Sequence, residues 1–315
     1  MNTRLYPTRE RHRSPARTGG AAPWRLLPGL RFAVCLLGCL LPVLVWAATL
    51  KVTYPTGDVP NDPRFHDVIE ILRTALEKTR AQYGPFELGP ANTPMPKARY
   101  LLEMENHGDI NVVWNGTSDE LEQRFLPIRI PLRKGLLGYR ICLINKGSQH
   151  KIDQIKTVED LKKISIGQGI GWGDNRIYEH IGIDVVKAKY GQLFKMLALR
   201  RFELYPRGIG EVFTEYDLIH AEHPDLVVEK NLVLYYPWPY YFFFNQNDVA
   251  LKARVEAGLH IMQKDGSFDA IFRKYNQAAI EKANLKGRRI IRLVNPLLPK
   301  ETPLHDSSLW YDPNK

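Results

Sequence analysis

Apolar and polar residues alternate along the chain with two periodicities, one of which predicts strands and the other helices. Leu50, Val52 and Tyr54 alternate with polar neighbours, which is typical of a half-buried strand. Between positions 65 and 76 the apolar residues recur at helical spacing, which indicates one face of an amphipathic helix. The elements predicted here are a strand at 49–54, a helix at about 63–82, a strand at 86–88, a helix at 96–106 and a strand at 109–114. Such a run favours a parallel sheet with helices on its faces.

A second block repeats this rhythm after a long extended stretch at 132–145 and ends at another, 232–245. Thr157, with Asp160 three residues later, predicts a helix cap. The other predicted elements are a strand at 164–167, a helix from about 174, a strand at 202–205, a helix at about 208–220, and helices at about 249–264 and 268–282. Two blocks separated by two extended stretches predict two lobes, between which the chain crosses twice.

The N-terminal segment has the pattern of a secretory leader. Residues 1–31 hold seven Arg and one acid, Glu10, and residues 32–48 are apolar without a charge. Near the end of this run, Val45-Trp46-Ala47 has small or neutral residues at the two positions that a signal peptidase reads. The sequence therefore predicts a cleaved signal peptide over 1–47. The apolar run of 17 residues also leaves an uncleaved anchor open.

Removing the leader changes what the charge indicates. The whole chain has a net charge of +10, but the loss of seven Arg and one Glu leaves +4. No basic stripe with interleaved aromatic residues remains, so nucleic-acid binding loses its support. Of the three cysteines only Cys142 remains, in an apolar run typical of a buried strand, and no disulfide is expected. His220 and His223 lack a third metal ligand, and no cofactor is expected.

Three motifs carry a resemblance to a known family. Residues 236–244 read Tyr-Pro-Trp-Pro-Tyr-Tyr-Phe-Phe-Phe, and residues 264–269 read Lys-Asp-Gly-Ser-Phe-Asp, with Tyr275 further on. Residues 157–161 read Thr-Val-Glu-Asp-Leu. With these motifs, the chain over about 49–277 resembles the extracellular solute-binding proteins of family 3, the amino-acid-type periplasmic binding proteins.

The resemblance implies a two-lobed type II periplasmic-binding-protein fold of the α/β class, in which each lobe is a mostly parallel sheet flanked by helices. The implied boundaries are 1–47 for the signal peptide, 48–138 and 236–287 for the two parts of lobe one, 139–235 for lobe two, and 288–315 for a C-terminal extension. We expect that extension to form an extended strap over lobe one. The two hinge crossovers absorb backbone rotation, and the solute is trapped between the lobes.

In the first lobe, the resemblance implies a set of residues around the solute. They are Tyr54, Arg99, Trp114, Asn115, Thr117 and Arg124. The family binds a ligand's carboxylate and ammonium with the segment that here reads 114–118. Many members clamp the carboxylate with an Arg close to position 124, since its planar fork binds both oxygens. Arg129 and Arg133 are alternatives for that role.

In the second lobe, the resemblance implies Gly169, Trp172 and Arg207. The glycines of 167–174 allow close backbone approach although the family's two hydroxyls are missing here, and Trp172 offers a stacking surface. Arg207 stands where amino-acid-binding members carry an Asp for the ligand ammonium. Either Glu211 takes over that role, or the solute presents an anion to Arg207.

The resulting hypothesis is a monomeric periplasmic receptor for a small polar or anionic, amino-acid-like solute, gripped by Arg124 and Arg207. Its partner is an ABC permease or a membrane sensor, and it is not an enzyme. The alternative is a periplasmic enzyme on the same scaffold, similar to cyclohexadienyl dehydratase. Such an enzyme needs an acid or base in the cleft, and Glu203 and Glu211 are the only acids near the implied wall.

Overall fold

A computed structural model describes residues 49–56 and 65–314 of the chain. The predicted signal peptide at 1–47 lies outside the described residues. Across the part that the structure describes, no helix combines the length and apolar character of a membrane span.

The first group of elements carries a parallel strand pair and several helices. It comprises β1 (Leu50–Tyr54), α1 (His66–Lys78), α2 (Arg80–Tyr83), β2 (Phe86–Pro90), α3 (Lys97–Glu105), β3 (Val113–Gly116), α4 (Asp119–Arg124) and β4 (Leu126–Ile128). β1 and β2 pair in parallel. The α1 helix buries one face against this lobe's core, as the spacing of its apolar residues predicts.

The second group begins where the chain first crosses. It comprises β5 (Tyr139–Asn145), α5 (Gln149–Asp153), α6 (Val158–Leu161), β6 (Ile166–Gly169), α7 (Asp174–Ile181), β7 (Val185–Ala188), α8 (Tyr190–Ala198), β8 (Tyr205–Gly208), α9 (Ile209–Ile219), β9 (Leu226–Val228) and β10 (Leu232–Tyr235). The predicted cap is present, because Thr157 and Asp160 form a reciprocal capping box at α6.

After the second crossover the chain returns to the first group. The remaining elements are β11 (Tyr240–Phe244), α10 (Val249–Asp265), α11 (Ser267–Ala283) and β12 (Arg289–Arg292). β11 pairs antiparallel with both β3 and β4. The turn between α10 and α11 requires the left-handed backbone of Gly266, with φ 80°.

Separate apolar cores lie on the two sides of the crossovers. Val52, Ile71 and Leu259 belong to the cores of the first group, whereas Ile141 and Leu204 belong to those of the second. The chain is therefore an α/β protein of two lobes, as predicted. The α11 helix contributes to both sides, because its first turns pack in the first lobe and its later residues in the second.

The strand pairing is more mixed than the predicted mostly parallel sheets. The central strand β5 pairs antiparallel with β8, β9 and β10, while β6–β7 and β10–β12 are parallel. These three antiparallel pairs all involve β5, the strand into which the first crossover leads, so this strand runs against its neighbours in the sheet. The sequence patterns did not predict the short β7 and α8.

Both extended stretches are shorter than predicted. β5 starts at Tyr139 because residues 131–138 form tight turns, with Lys134 and Gly135 at positive φ. The second stretch is interrupted between β10 and β11 at residues 236–239, where two prolines cannot donate ladder hydrogen bonds.

The two crossovers touch at Gly138. The N–H of Tyr236 donates to the Gly138 carbonyl at 3.2 Å, and a β-carbon on Gly138 would overlap the carbonyl oxygen of Tyr236. The contact is between two backbones, so neither side can yield by rotating a side chain.

Gly138→Ala is therefore expected to lower the free energy of unfolding by about 1–3 kcal/mol, as overpacking does. Urea denaturation measures this change. Gly191→Ala in α8 is the matched control, because a β-carbon at that position would meet no atom within 4 Å, and that variant should be neutral or stabilised. Equal stabilities for Gly138→Ala and the wild type would contradict the tight crossover.

The segment after α11 joins the second lobe rather than forming a strap over the first alone. β12 adds a parallel edge strand to β10, and the N–H of Leu293 donates to the carbonyl of Tyr235 at 2.7 Å. Further on, the ring of Trp310 packs on Gly135, and the N–H of Tyr311 donates to the Lys134 carbonyl at 2.7 Å. The segment thus contacts both crossovers.

Candidate ligand-binding site

The second lobe places a buried arginine at the junction of β8 and α9. Arg207 donates from Nε and Nη2 to the two carboxylate oxygens of Glu215, each at 2.6 Å. Its Nη2 also lies 3.2 Å from Oε2 of Glu211. Burial disfavours the charged form of Arg207, but the two carboxylates outweigh it and hold the pKa of Arg207 above its ordinary value.

The predicted second-lobe residues Gly169, Trp172 and Arg207 do come together. The guanidinium of Arg207 lies 4.6 Å from the ring centre of Trp172. The same ring lies so close to Gly169 that a β-carbon there would overlap it. Tyr190, at the start of α8, extends the aromatic surface, with its ring centre 6.2 Å from that of Trp172.

A second buried arginine repeats this arrangement at the start of β5. Arg140 donates to Asp174 at 3.1 Å, and Asp174 also accepts from the hydroxyl of Tyr236 at 2.9 Å. The guanidinium lies 6.0 Å from the ring centre of Trp238 in the second crossover. Burial lowers the pKa of Arg140, but Asp174 and its other neighbours raise it to a net value above the ordinary one.

Glu211 lies between the two arginines. Its Oε2 is 3.8 Å from Arg140 and 3.2 Å from Arg207, and it accepts from the N–H of Gly208 at 3.0 Å. Burial raises the pKa of Glu211, but Arg207, Arg140 and this N–H lower it more, so the net pKa is below its ordinary value. The side chain is 40% exposed, unlike those of its partners. Glu211 is thus an ionised carboxylate with an accessible edge.

The charges of this wall do not favour an anion. Arg140 and Arg207 contribute two positive charges, while Asp174, Glu211 and Glu215 contribute three negative ones, for a net charge of −1. Moreover, the hydrogen-bonding edge of Arg207 is already occupied by a carboxylate. A solute anion would have to displace Glu215 to be clamped as the sequence suggested.

Trp238 connects this wall to the first lobe. Its ring packs on Gly173, just before α7: a β-carbon added to that glycine would lie 2.7 Å from Cη2 of the indole. Its Nε1 edge lies against Gly116 at the end of β3, where a β-carbon would overlap it. The end of a first-lobe strand and the start of a second-lobe helix therefore converge on one indole.

In the first lobe, Tyr54 and Trp114 pack together. Their ring centres are 5.6 Å apart, and the ring centre of Phe65 also lies 5.6 Å from that of Trp114. Trp114 is only 6% exposed and belongs to the core, whereas Tyr54 is half-buried at the end of β1. Burial raises the pKa of the Tyr54 hydroxyl, although Arg73 opposes it. Of the two, Tyr54 is the ring a solute can reach.

Asn115 pairs with a lysine that the sequence did not single out. Nζ of Lys97, at the start of α3, donates to Oδ1 of Asn115 at 2.6 Å. Among the described residues the buried Nδ2 of Asn115 has no hydrogen-bond partner. Burial lowers the pKa of Lys97, with Glu120 opposing it. A cation and an amide donor therefore stand together at the end of β3.

The hydroxyl and the backbone N–H of Thr117 both form hydrogen bonds within the protein. Its hydroxyl donates to Glu122 at 2.6 Å, and the same carboxylate accepts from Arg129 at 3.0 Å. The N–H of Thr117 donates to the carbonyl of Pro239 at 3.2 Å, which ties β3 to the second crossover. Arg129, an alternative clamp in the sequence, is thus paired within its own lobe.

Arg124 and Arg99 are not brought to the second-lobe wall. Arg124 donates to Glu105 at 2.7 Å and lies 3.5 Å from Glu120, so its ionic partners all belong to the first lobe. Arg99 is 63% exposed and lies 4.0 Å from Glu103 on the same helix. The predicted grip of Arg124 and Arg207 on one anion is not assembled in this structure.

Arg133, the other alternative, binds Asp67 near the start of α1. Its Nε and Nη2 donate to the two oxygens at 2.6 and 2.8 Å. Burial lowers the pKa of Arg133, but Asp67 raises it to a net value above the ordinary one.

Sequence reasoning missed Lys97, Arg140, Asp174, Tyr190 and Trp238. Arg140 carries a signal, since a charge inside an apolar strand pattern is rarely buried without a partner. Trp238 lies inside the motif quoted for the resemblance, but its neighbours come from distant parts of the chain.

The strand β6 contains a buried side-chain amide without hydrogen-bond partners among the described residues. Gln168 is 0% exposed, and within the described residues neither its Nε2 nor its Oε1 has a hydrogen-bond partner. The side-chain amide of Asn175 donates to the Gly169 carbonyl at 3.0 Å. Over the described ranges no group of three or more potential ligands forms a metal site, and His220 contacts the Asp217 carbonyl at 3.2 Å.

No protein-family model and no curated protein matches this chain. Solved structures do match. An ancestral arginine-binding protein bound to arginine is 18% identical, over 72% of this chain and 97% of that one, with a TM-score of 0.47. The amino-acid ABC transporter substrate-binding protein AbpA from Streptococcus pneumoniae, bound to L-arginine, is 14% identical over 73% and 95%, with a TM-score of 0.49.

A third match is an ancestral amino-acid-binding protein described as a precursor of cyclohexadienyl dehydratase. It is 16% identical, over 72% of this chain and 95% of that one, with a TM-score of 0.47. The solved structures to which this chain is similar thus include substrate-binding proteins of amino-acid ABC transporters.

Proposed function

We propose that this protein is a receptor that holds one small amino-acid-like solute between its two lobes. The observation that carries the proposal is the convergence on Trp238 of Gly116, at the end of β3, and Gly173, just before α7. Strand ends and helix starts are where backbone donors become available to a ligand. A solute beside this indole contacts both lobes and stabilises their approach.

The charges of the two walls support a zwitterionic or cationic solute, the alternative in which Glu211 takes over the role of the family's Asp, rather than an anion bound by Arg207. Glu211 offers an accessible carboxylate edge on a wall with an excess of negative charge. Lys97 and the unpartnered amide of Asn115 offer donors from the first lobe. In this proposal Glu211 binds the positive group of the solute, and the first-lobe donors bind its carboxylate. Tyr54, Trp172 and Tyr190 line the path of the side chain.

Such a receptor acts outside the cytoplasm and delivers its solute to an ABC permease or reports it to a membrane sensor. The leader-like pattern at 1–47 supports export. We propose that it works as a monomer and without a cofactor.

The enzyme alternative has weaker support in the site. The pKa of Glu211 is lowered, so near neutral pH this carboxyl is both a poor proton donor and a weak base. Glu203 is bound to Lys151 at 2.7 Å and to the hydroxyl of Ser165 at 2.6 Å. Incubation with a prephenate-like substrate should therefore give no turnover.

A thermal-shift screen tests the receptor. The purified protein is heated with each of the twenty L-amino acids and with small dicarboxylates at millimolar concentration. At least one amino acid should raise the melting temperature, because a ligand at 100 times its Kd adds about 2.7 kcal/mol to the stability of the folded form. A panel in which no member raises it would contradict the proposal.

Glu211→Gln tests the proposed cation site in calorimetry with the amino acid that the screen identifies. The amide keeps an acceptor for the cap of α9 but loses the charge, so affinity should fall about 10–100-fold. Glu159→Gln, an exposed residue of α6, is the matched control and should bind normally.

The same site predicts a pH profile. Because the pKa of Glu211 is below its ordinary value, wild-type binding should not weaken on acidification until the pH falls below about 4.3, the ordinary pKa of a glutamate. In the calorimetry experiment, an undiminished affinity of Glu211→Gln for the amino acid would show that Glu211 does not bind the solute.

A further inference from the structure

The second crossover has a stiff backbone. Trp238 stands between Pro237 and Pro239, and a residue before proline is restricted to extended conformations while each proline fixes its own φ. The segment is also tied on both sides. The side chain of Asn295 donates to the Pro237 carbonyl at 2.8 Å, and the N–H of Thr117 donates to the Pro239 carbonyl at 3.2 Å.

The indole of Trp238 is held as firmly as its backbone. It meets Gly116 of the first lobe with its Nε1 edge and Gly173 of the second with Cη2, so the width of the ring separates the two glycines. The ring of Tyr236 lies 5.8 Å away in an edge-on arrangement, and the guanidinium of Arg140 lies 6.0 Å from the ring centre. Neither glycine leaves room for the indole to move past it.

This arrangement differs from a hinge that bends freely. When the lobes close, Gly116 and Gly173 cannot come closer together than the width of the indole ring. Protein interiors are packed to van der Waals contact and resist compression. A solute between the lobes must then fit in the space that remains beside the ring.

We propose that Trp238 is a rigid wedge between the lobes that sets how far they close and thereby limits the size of the solute. The size limit rests on the proposed receptor function, whereas the wedge itself does not. Asn295 is a positioning residue, since it holds the carbonyl next to the wedge.

Trp238→Ala tests the wedge without any knowledge of the solute. Removing the ring leaves a ring-sized space between Gly116 and Gly173, bordered by the ring of Tyr236 and the guanidinium of Arg140, on which an added indole can stack. Indole is the probe. Calorimetry should detect indole binding to Trp238→Ala but not to the wild type.

Hydrogen exchange at the amide of Thr117 gives a second, local readout. This amide donates to Pro239, next to the wedge, so its exchange should be at least ten times faster in Trp238→Ala and should slow again with indole. Trp310→Ala is the matched control: it removes another half-buried tryptophan, from the C-terminal segment that packs on Gly135, and should leave the exchange of the Thr117 amide unchanged. Wild-type exchange together with no indole binding in Trp238→Ala would overturn the wedge.

Trp238→Phe keeps a ring and serves if the alanine variant does not fold. It loses the contact of Nε1 with Gly116, so the Thr117 amide should exchange faster than in the wild type, and wild-type exchange would again overturn the proposal.

The size limit is tested by the amino-acid screen on Trp238→Ala or Trp238→Phe. The preference should move to larger side chains, and an unchanged preference would refute the limit. If no amino acid raises the melting temperature of the wild type, the proposed receptor function is wrong. The indole-binding and hydrogen-exchange results still decide whether Trp238 acts as a wedge.

Discussion

Glu229→Ala is expected to lower the free energy of unfolding by about 3–5 kcal/mol, because it leaves a buried cation without its partner. Glu229 is 0% exposed and lies 3.3 Å from Nη1 of Arg288, which is itself nearly buried. The carboxylate also accepts from the N–H groups of Asn231 and Leu232, at 2.7 and 2.5 Å, and from Gln149 at 2.9 Å. One side chain thus holds the start of β10 to the segment that leads into β12.

Chemical denaturation measures this loss, with two companion variants. Glu229→Gln keeps the shape and one acceptor oxygen, so it should lose less stability than the alanine variant. Glu222 is an exposed glutamate of the same lobe, so the free energy of unfolding of Glu222→Ala should stay within about 0.5 kcal/mol of that of the wild type. A Glu229→Ala protein as stable as Glu222→Ala would show that the buried ion pair does not hold this part of the lobe.

Gly258→Ala is expected to lower the stability of the first lobe by about 3 kcal/mol, at the upper end of overpacking effects. Gly258 lies in the middle of α10, where a β-carbon would overlap the backbone carbonyl oxygen of Ala75 in α1. No side-chain rotation relieves that contact, so the two helices must move apart. Their shared core, which includes Leu72 and Val255, then loses contact as well.

Gly210→Ala is the control for this prediction. Gly210 also lies in a helix, α9, but no atom lies within 4 Å of the added carbon, so the variant should be unchanged or stabilised by about 1 kcal/mol. Thermal unfolding of the two variants side by side measures the difference. Equal melting temperatures would contradict the close approach of α1 and α10.

The longer helices and the two crossovers could be predicted because their signals are local. The α9, α10 and α11 helices follow the helical spacing of apolar residues, and the capping box at Thr157 follows from two residues three apart. The strand predicted at 109–114 begins later, at Val113. Residues 111 and 112 donate to the Thr53 carbonyl as a loop and join no ladder.

The candidate site was predictable only where its members are close in sequence. Gly169 and Trp172 lie in one turn, and their contact follows from that turn. Arg140 and Asp174 are 34 positions apart, and their pairing depends on how β5 packs against α7. Tertiary packing decides which carboxylate each arginine binds, so the pairing of Arg207 with Glu215 could not be predicted from the sequence.

The sheet of the second lobe is completed by β12, which the ribosome makes roughly 60 residues after its neighbour β10. At the usual rate of synthesis this is a delay of about 3–12 s, during which β10 has an open edge. Asn295 and Tyr311, which tie down the crossovers, emerge later still. A nascent chain therefore cannot complete this sheet until its last residues have left the ribosome.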